Sequence, residues 1–107
     1  MRSTSNRAAF RAITYRIEFK GIGIQAVEGY AFETPGWPEF RACVRWGNRW
    51  GDEINPSWIV DHYDTGLRIS LGRMTHRKEA PAALCRRLDE IGREQVHRVL
   101  RRYGLLP

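Results

Sequence analysis

The chain has 107 residues, of which 42% are hydrophobic and 28% charged, and its formal net charge is +6 at neutral pH. This length fits one domain with one hydrophobic core, and no stretch approaches the ~18 consecutive apolar residues of a membrane span. The first ten residues lack the apolar segment of a secretory signal, and the only two cysteines, Cys43 and Cys85, form no C-x-x-C pair. We therefore expect a single cytoplasmic domain over residues 1–107, with reduced thiols, no membrane association and a flexible arm over residues 1–10.

The positive charge is concentrated at the two ends of the chain. Residues 1–20 hold five basic and one acidic residue, residues 21–76 hold five and seven, and residues 77–107 hold eight and four. Of the 18 basic residues only Lys20 and Lys78 are lysine. Because arginine recognises phosphate and carboxylate groups with a planar pair of donors, this composition favours such partners. The alternative is an arginine-rich surface that is only solvated.

The first third of the chain predicts two strands. Four apolar residues alternate with polar ones between residues 12 and 20: Ile13, Tyr15, Ile17 and Phe19. Gly21 and Gly23 predict a turn, and residues 24–32 a second strand with a bulge or bend at Gly29.

The middle of the chain predicts a loop, a strand and a hairpin. Two prolines and a glycine predict a loop over residues 34–38. Residues 40–46 alternate as in a strand, although a helix that begins at Pro38 competes with this interpretation. After a loop over residues 47–57, two strand-like runs at 58–63 and 67–71 flank Asp64-Thr65-Gly66, which is typical of a hairpin turn.

Helical periodicity begins near residue 75 and predicts one helix over residues 82–103. Its periodic positions are the apolar Leu84, Leu88, Ile91 and Val99, followed by the aromatic Tyr103, and Gly92 is expected to weaken or kink it. The order of elements predicts an α+β fold: an antiparallel meander of four to five strands packed against one long C-terminal helix. The four apolar helix positions are expected to contact the first strand.

Tryptophan and arginine cluster in the middle of the sequence. Four tryptophans fall within 22 residues: Trp37, Trp46, Trp50 and Trp58. Three arginines lie among them: Arg41, Arg45 and Arg49. Trp46 and Trp58 lie on predicted strands and are expected in the core, whereas Trp37 and Trp50 lie in predicted loops and are expected to be exposed. Both residue types dominate binding hot spots and stack on nucleobases.

The predicted helix adds a second basic region whose arginines could contact phosphate. Together with the tryptophan cluster it defines the candidate partner-binding residues: Trp37, Arg41, Arg45, Arg49, Trp50, Arg86, Arg93, Arg98 and Arg101. Acidic residues on the same helix support the alternative of a solvated helix surface.

Motifs for catalysis are sparse. Residues 21–26 match G-x-G-x-x-A, but a strand rather than a helix is predicted after them. The histidines lack metal-ligand spacing, so neither a cofactor nor a metal is expected. His62 and Asp64 are the only acid/base candidates. Asp64-Thr65-Gly66 resembles the tripeptide of retroviral-type aspartic proteases, which would imply a dimeric hydrolase, but a hairpin turn explains the same three residues.

The whole-chain pattern places a Trp58-x-Val60 … Thr65-Gly66 hairpin before an alanine- and arginine-rich helix. In this it resembles small accessory proteins of phages and mobile elements, including anti-CRISPR proteins. The resemblance implies a compact, non-enzymatic binding protein. We expect a basic protein that binds nucleic acid, a nucleoprotein or an acidic protein; the alternatives are an aspartic hydrolase and a structural homodimer formed through a strand edge or the helix.

Overall fold

A computed structural model describes residues 10–19, 21–47 and 57–107. The predicted flexible arm, apart from Phe10, lies outside these residues. The strands are β1 (Arg11–Phe19), β2 (Gly23–Phe32), β3 (Ala42–Gly47), β4 (Ser57–His62) and β5 (Arg68–Ile69). A 3₁₀ turn (Arg77–Glu79) leads into two helices, α1 (Ala80–Ile91) and α2 (Arg93–Arg102).

The five strands form one antiparallel sheet in the order β1-β2-β3-β4-β5, so the predicted α+β class and strand meander are confirmed. The strand predicted over residues 40–46 is present but begins at Ala42 and ends at Gly47, and the competing helix at Pro38 is wrong. The glycines of the G-x-G-x-x-A match lie at an antiparallel hairpin, where no helix opens. That match therefore lacks the strand-to-helix setting of a dinucleotide site.

The prediction of one long helix is correct only in part, because the helix is interrupted at Gly92. This residue has φ +97° and ψ 140°, a conformation that side-chain-bearing residues rarely adopt. Its N–H caps α1 by donating to the Leu88 carbonyl at 2.9 Å, and α2 begins a new helical phase. Leu84 and Leu88 are buried as predicted, but Ile91 is 39% exposed. In α2 the residues that reach the core are instead Val96 and Leu100.

The hydrophobic core is divided between the two faces of the sheet. Both helices cover one face, where the buried residues are Phe32, Trp37, Ala42, Val44, Val60, Met74, Ala80, Leu84, Leu88, Val96 and Leu100. A second cluster lies on the other face and contains Tyr15, Ile17, Phe19 and Cys43. The predicted contact between the helix and the first strand is therefore wrong, because β1 packs on the face opposite the helices.

A bend in β2 at Gly29 accounts for the position of β1. The β2 strand pairs with β1 from Gly23 to Ala31 but with β3 only from Tyr30 to Phe32. On the side of Gly29 that leads to the β1–β2 turn, the hairpin separates from β3 and folds across the face opposite the helices. A Cβ atom on Gly29 would lie 2.5 Å from the carbonyl oxygen of Val44, so only glycine allows the two backbones to approach this closely.

A buried polar network holds the hairpin in this position. The carboxylate of Asp61 on β4 is fully buried, and its Oδ2 accepts bonds from the Tyr15 hydroxyl and from Arg45 Nε, both at 2.7 Å. Burial first, and then the negative charge of Asp61, raise the pKa of the Tyr15 phenol far above its ordinary value, so it stays a donor. The network thus links β1, β3 and β4.

Substitution of Gly29 by alanine tests the bend. We expect Gly29→Ala to lower the free energy of unfolding by about 1–3 kcal/mol, because the new methyl group meets a backbone carbonyl that cannot rotate away. Urea denaturation measures the loss. Ala26→Ser on the exposed side of the same strand is the control and should change stability by less than about 0.5 kcal/mol. Equal effects of the two substitutions would contradict the close approach.

Removal of the buried carboxylate tests the polar network. Asp61→Ala leaves the buried Arg45 guanidinium without its charge partner and should cost about 3–5 kcal/mol. Tyr15→Phe removes a single hydrogen bond to a charged acceptor and should cost less, about 1.5–3 kcal/mol. Thermal and urea unfolding of both variants give the comparison. A larger loss for Tyr15→Phe than for Asp61→Ala would show that ring packing, rather than the carboxylate, holds the hairpin.

Candidate functional site

The predicted exposure of Trp37 is wrong. Its ring is 2% exposed and lies in the helix-side core. The indole Nε1 donates to Asp89 Oδ1 at 3.0 Å, and the Arg93 guanidinium lies 4.0 Å from the ring centroid. The Thr34 to Pro38 loop has no strand pairing, as predicted, but it folds back onto the helices and buries its tryptophan. Trp37 therefore offers no surface to a partner.

Arg93 is committed to an internal contact that fastens this loop to α2. Its guanidinium donates to Glu39 and, at 2.6 Å, to the Gly36 carbonyl oxygen. His97 Nε2 lies 2.5 Å from the same Glu39 oxygen. Burial alone would raise the pKa of Glu39, but the hydrogen bond with His97, a backbone hydrogen bond and the charge of Arg93 outweigh it and lower the pKa. The guanidinium of Arg93 is thus already bound to Glu39 and Gly36 of the same chain.

The arginines predicted in the tryptophan cluster have different environments. Arg45 is 4% exposed and bonds to Asp61, so its predicted place on a binding surface is wrong. Arg41 is exposed; its guanidinium lies 4.4 Å from the Tyr63 ring centroid and 3.4 Å from Asp64 Oδ1. Arg49 and Trp50 lie outside the described residues.

The remaining helix candidates are on the surface. Arg86 is exposed on α1, and Arg98 and Arg101 are exposed on α2. Arg98 Nη1 donates to Gln95 Oε1 at 3.0 Å, and Arg101 Nε to the Pro107 carbonyl at 3.1 Å. Within the part of the chain that the structure describes, Arg86 and Arg98 form no ion pair with a carboxylate. Their charges therefore remain available to a partner.

The structure places an aromatic row where the sequence predicted core. Trp46 is 43% exposed, so its predicted burial is wrong, whereas Trp58 is half-buried. Their ring centroids are 5.4 Å apart with the planes 67° to each other, and the half-buried Tyr30 lies 6.4 Å beyond Trp58 at 56°. The three side chains are on the helix side of the sheet, but Trp46 lies at the end of β3 that the helices leave uncovered.

Basic side chains lie beside this row. The backbone N–H of Trp58 donates to the Met74 carbonyl at 3.1 Å. This bond holds the segment that follows β5 alongside the aromatic row. In that segment the Arg77 guanidinium lies 3.9 Å from the Tyr30 centroid, and no described carboxylate pairs with it. We call this region the aromatic–basic surface: Tyr30, Trp46, Trp58, Arg73 and Arg77.

A groove at the other end of the sheet is the second candidate. It has a volume of about 830 Å³, within the range of ligand pockets, and lies between the start of β1 and the loop before β3. Arg11, Arg41 and Glu33 are its charged lining residues. Since Asp64 pairs with Arg41 and Glu33 opposes Arg11 in charge, the charges nearly cancel. The groove therefore has no clear preference for a ligand of one charge, whereas the aromatic–basic surface favours a negatively charged one.

The potential catalytic groups have structural roles. The Asp64 turn is confirmed as a hairpin turn, with the Gly66 N–H donating to the His62 carbonyl at 2.8 Å. His62 is 4% exposed, and its Nδ1 lies 2.9 Å from Thr65 Oγ1. Burial lowers the pKa of His62 although the charge of Asp64 opposes this shift. The lowered pKa favours a neutral imidazole ring. Burial, with the charge of Asp61, raises the pKa of Cys43 to about 12, so its thiol stays protonated.

Comparisons with known proteins found no relatives. No family model matches the chain, and searches of curated proteins and of solved structures found no similar protein. Within the described residues, no three His, Cys, Asp or Glu side chains are grouped so that they could hold a metal ion. Neither described helix has the length and apolar character needed to cross a bilayer.

Acidification tests the contact between Glu39 and α2. Because the pKa of Glu39 is lower in the folded chain than its ordinary value of 4.5, its contribution to stability is present above that value and is lost as pH falls through the lowered pKa. We expect the wild type to lose more stability than Glu39→Gln between about pH 6 and pH 3. Urea midpoints at the two pH values measure this. Parallel losses in the two proteins would mean that Glu39 has the same pKa folded and unfolded.

Proposed function

We propose that this protein is a non-enzymatic basic binding protein that engages a nucleic acid or a nucleoprotein complex in the cytoplasm. The observation that carries the proposal is the aromatic–basic surface. There an exposed Trp46 packs edge-on against Trp58, and the Arg77 guanidinium lies over the Tyr30 ring, 3.9 Å from its centroid. Tryptophan and arginine together are the side chains most enriched at binding hot spots.

The energetics of this surface favour a partner. A tryptophan left 43% exposed keeps apolar area in water that a bound molecule could cover. Arg77 is held in place by the Tyr30 ring and by the Phe10 ring, whose centroid lies 5.4 Å away, so it loses little side-chain freedom on binding. An ordered guanidinium beside aromatic rings suits ligands that have both a π-system and a negative charge, as nucleic acids do.

Three exposed helix arginines, Arg86, Arg98 and Arg101, support the same proposal. They are part of the formal net charge of +6, and the electrostatic field of this charge attracts polyanions over long range. Phosphate contacts of this kind supply affinity without sequence preference.

Several observations support a binding role over a catalytic one. The pKa of His62 is lowered, the Cys43 thiol is protonated, and Asp64 pairs with Arg41 at a hairpin turn. A phage-type inhibitor such as an anti-CRISPR protein is one form that a binding protein of this size could take. An aspartic hydrolase built on Asp64 and a structural homodimer remain the alternatives.

Salt-dependent binding tests the proposal. The fluorescence anisotropy of labelled DNA and RNA, single-stranded and duplex, is measured with the protein from about 50 to 200 mM salt. We expect the logarithm of affinity to fall linearly with the logarithm of salt. Arg77→Gln should reduce the slope by ~0.7–0.9 for each phosphate that the variant no longer neutralises.

Arg87→Gln is the matched control, because Arg87 is exposed but already pairs with Glu90 at 3.5 Å. It should leave the slope unchanged. The proposal fails if no nucleic acid binds, or if binding ignores both salt and the Arg77 substitution. In that case an acidic protein that is captured from lysate after nuclease treatment, and no longer captured by the Trp46→Ala variant, identifies the alternative partner class.

A further inference from the structure

We infer that the aromatic–basic surface binds single-stranded nucleic acid in an extended form, with bases stacked on Trp46 and Trp58 and a phosphate or base held by Arg77. The inference rests on the proposed function and narrows it from nucleic acid in general to unpaired strands. DNA and RNA share the chemistry that this surface recognises, and the experiment below separates them.

The spacing of the rings indicates an extended strand. Successive centroids from Tyr30 through Trp58 to Trp46 are 6.4 and 5.4 Å apart. These distances are well above the rise of about 3.4 Å per nucleotide along one strand of a duplex. Bases that contact successive rings must therefore be drawn apart from one another, which requires an unpaired, extended backbone.

The orientation of the rings leads to the same conclusion. Neighbouring planes are turned by 56° and 67°, so adjacent rings of the row are far from parallel. Base pairs in a duplex are stacked parallel and cover each other's faces. Rings at these angles can each take a base only if the bases are splayed, as they are in single strands on aromatic side chains.

Arg77 completes the site as a cation beside the rings. Its guanidinium carbon lies 3.9 Å from the Tyr30 centroid, and a guanidinium group can stack on a base as aromatic rings do. Glu79, the acidic residue closest to it in sequence, is held elsewhere: its Oε2 accepts the His76 N–H at 3.1 Å and the Thr75 hydroxyl at 3.3 Å. The positive charge of Arg77 is therefore available to the strand.

The experiment compares four fluorescein-labelled probes: oligothymidine and oligouridine of about twelve nucleotides, an abasic strand of equal length, and a duplex of about twelve base pairs. We expect the wild type to bind at least one base-bearing single strand more tightly than both the abasic strand and the duplex. The tighter of the two base-bearing strands shows whether DNA or RNA is preferred.

Substitutions at the exposed ring test the stacking. Trp46→Ala should weaken binding of the base-bearing strand roughly 5- to 150-fold, the range that stacking of one base implies, and leave the abasic strand unchanged. Trp46→Phe keeps a ring and should retain most of the affinity. Trp58 and Trp46 indole N–H resonances should shift on titration with the base-bearing strand, and circular dichroism confirms that the variants fold.

The outcomes separate this inference from the proposed function. If the duplex or the abasic strand binds as tightly as the base-bearing strand, the stacking inference is overturned while nucleic-acid binding stands. If Trp46→Ala folds and binds the base-bearing strand like the wild type, the inference is likewise overturned. If none of the four probes binds, both the inference and the proposed function fail. The abasic comparison uses the wild type alone, so it decides the matter even if the variants do not fold.

Discussion

The buried carboxylate of Asp61 is the constraint on which the rest of the structure depends. A charge with no exposure to water is strongly destabilising unless partners surround it, and here the partners come from two other strands. Arg45 bonds to it from β3 and Tyr15 from β1, although β1 is three places away from β4 in the sheet. Only a hairpin folded over the sheet can bring the Tyr15 hydroxyl to this position, so the network requires the bend at Gly29.

Folding the hairpin over one face determines which surfaces remain open. The hairpin covers the face opposite the helices, and α1 with α2 covers Ala42 and Val44 on the other. Among the described residues on the helix side, Trp46 at the far end of β3 is left 43% exposed beside the half-buried Trp58. The aromatic–basic surface is thus the uncovered end of the hydrophobic core. Its neighbouring rings lie at 56° and 67° to each other, and each projects from a different strand of the sheet.

Local patterns in the sequence predicted the elements well and their packing poorly. Alternation identified β3, and the Asp64-Thr65-Gly66 turn identified the last hairpin, because both signals depend on neighbouring residues. The sequence identified Gly92 as a weak point of the helix. It did not give the backbone angles of Gly92, and these angles change the helical phase so that Val96 and Leu100, rather than Val99, enter the core.

The sequence predicted which residue types form the candidate site, tryptophan and arginine, but not which of these residues lie together on the surface. Alternation gives the face on which a tryptophan lies, but not how far a helix extends over that face, so Trp46 was predicted to be buried and Trp37 exposed. Arg45 looked like a surface cation because its carboxylate partner lies 16 residues away in sequence. Tyr30 and Arg77 carried no local signal at all, since only the folded sheet brings them together.

The contact between the last hairpin and β1 bears on how far the edges of the sheet are open to another chain. A long outermost strand is ordinarily a template on which another chain can add a strand. Gly66 lies so close to β1 that a Cβ atom there would be 3.0 Å from the Arg16 carbonyl oxygen and 3.3 Å from Ile17 Cα. The turn thereby shields the middle of the longest open edge, and the opposite edge, β5, is only two residues long. The described part of the sheet therefore leaves little unshielded edge on which a second chain could add a strand.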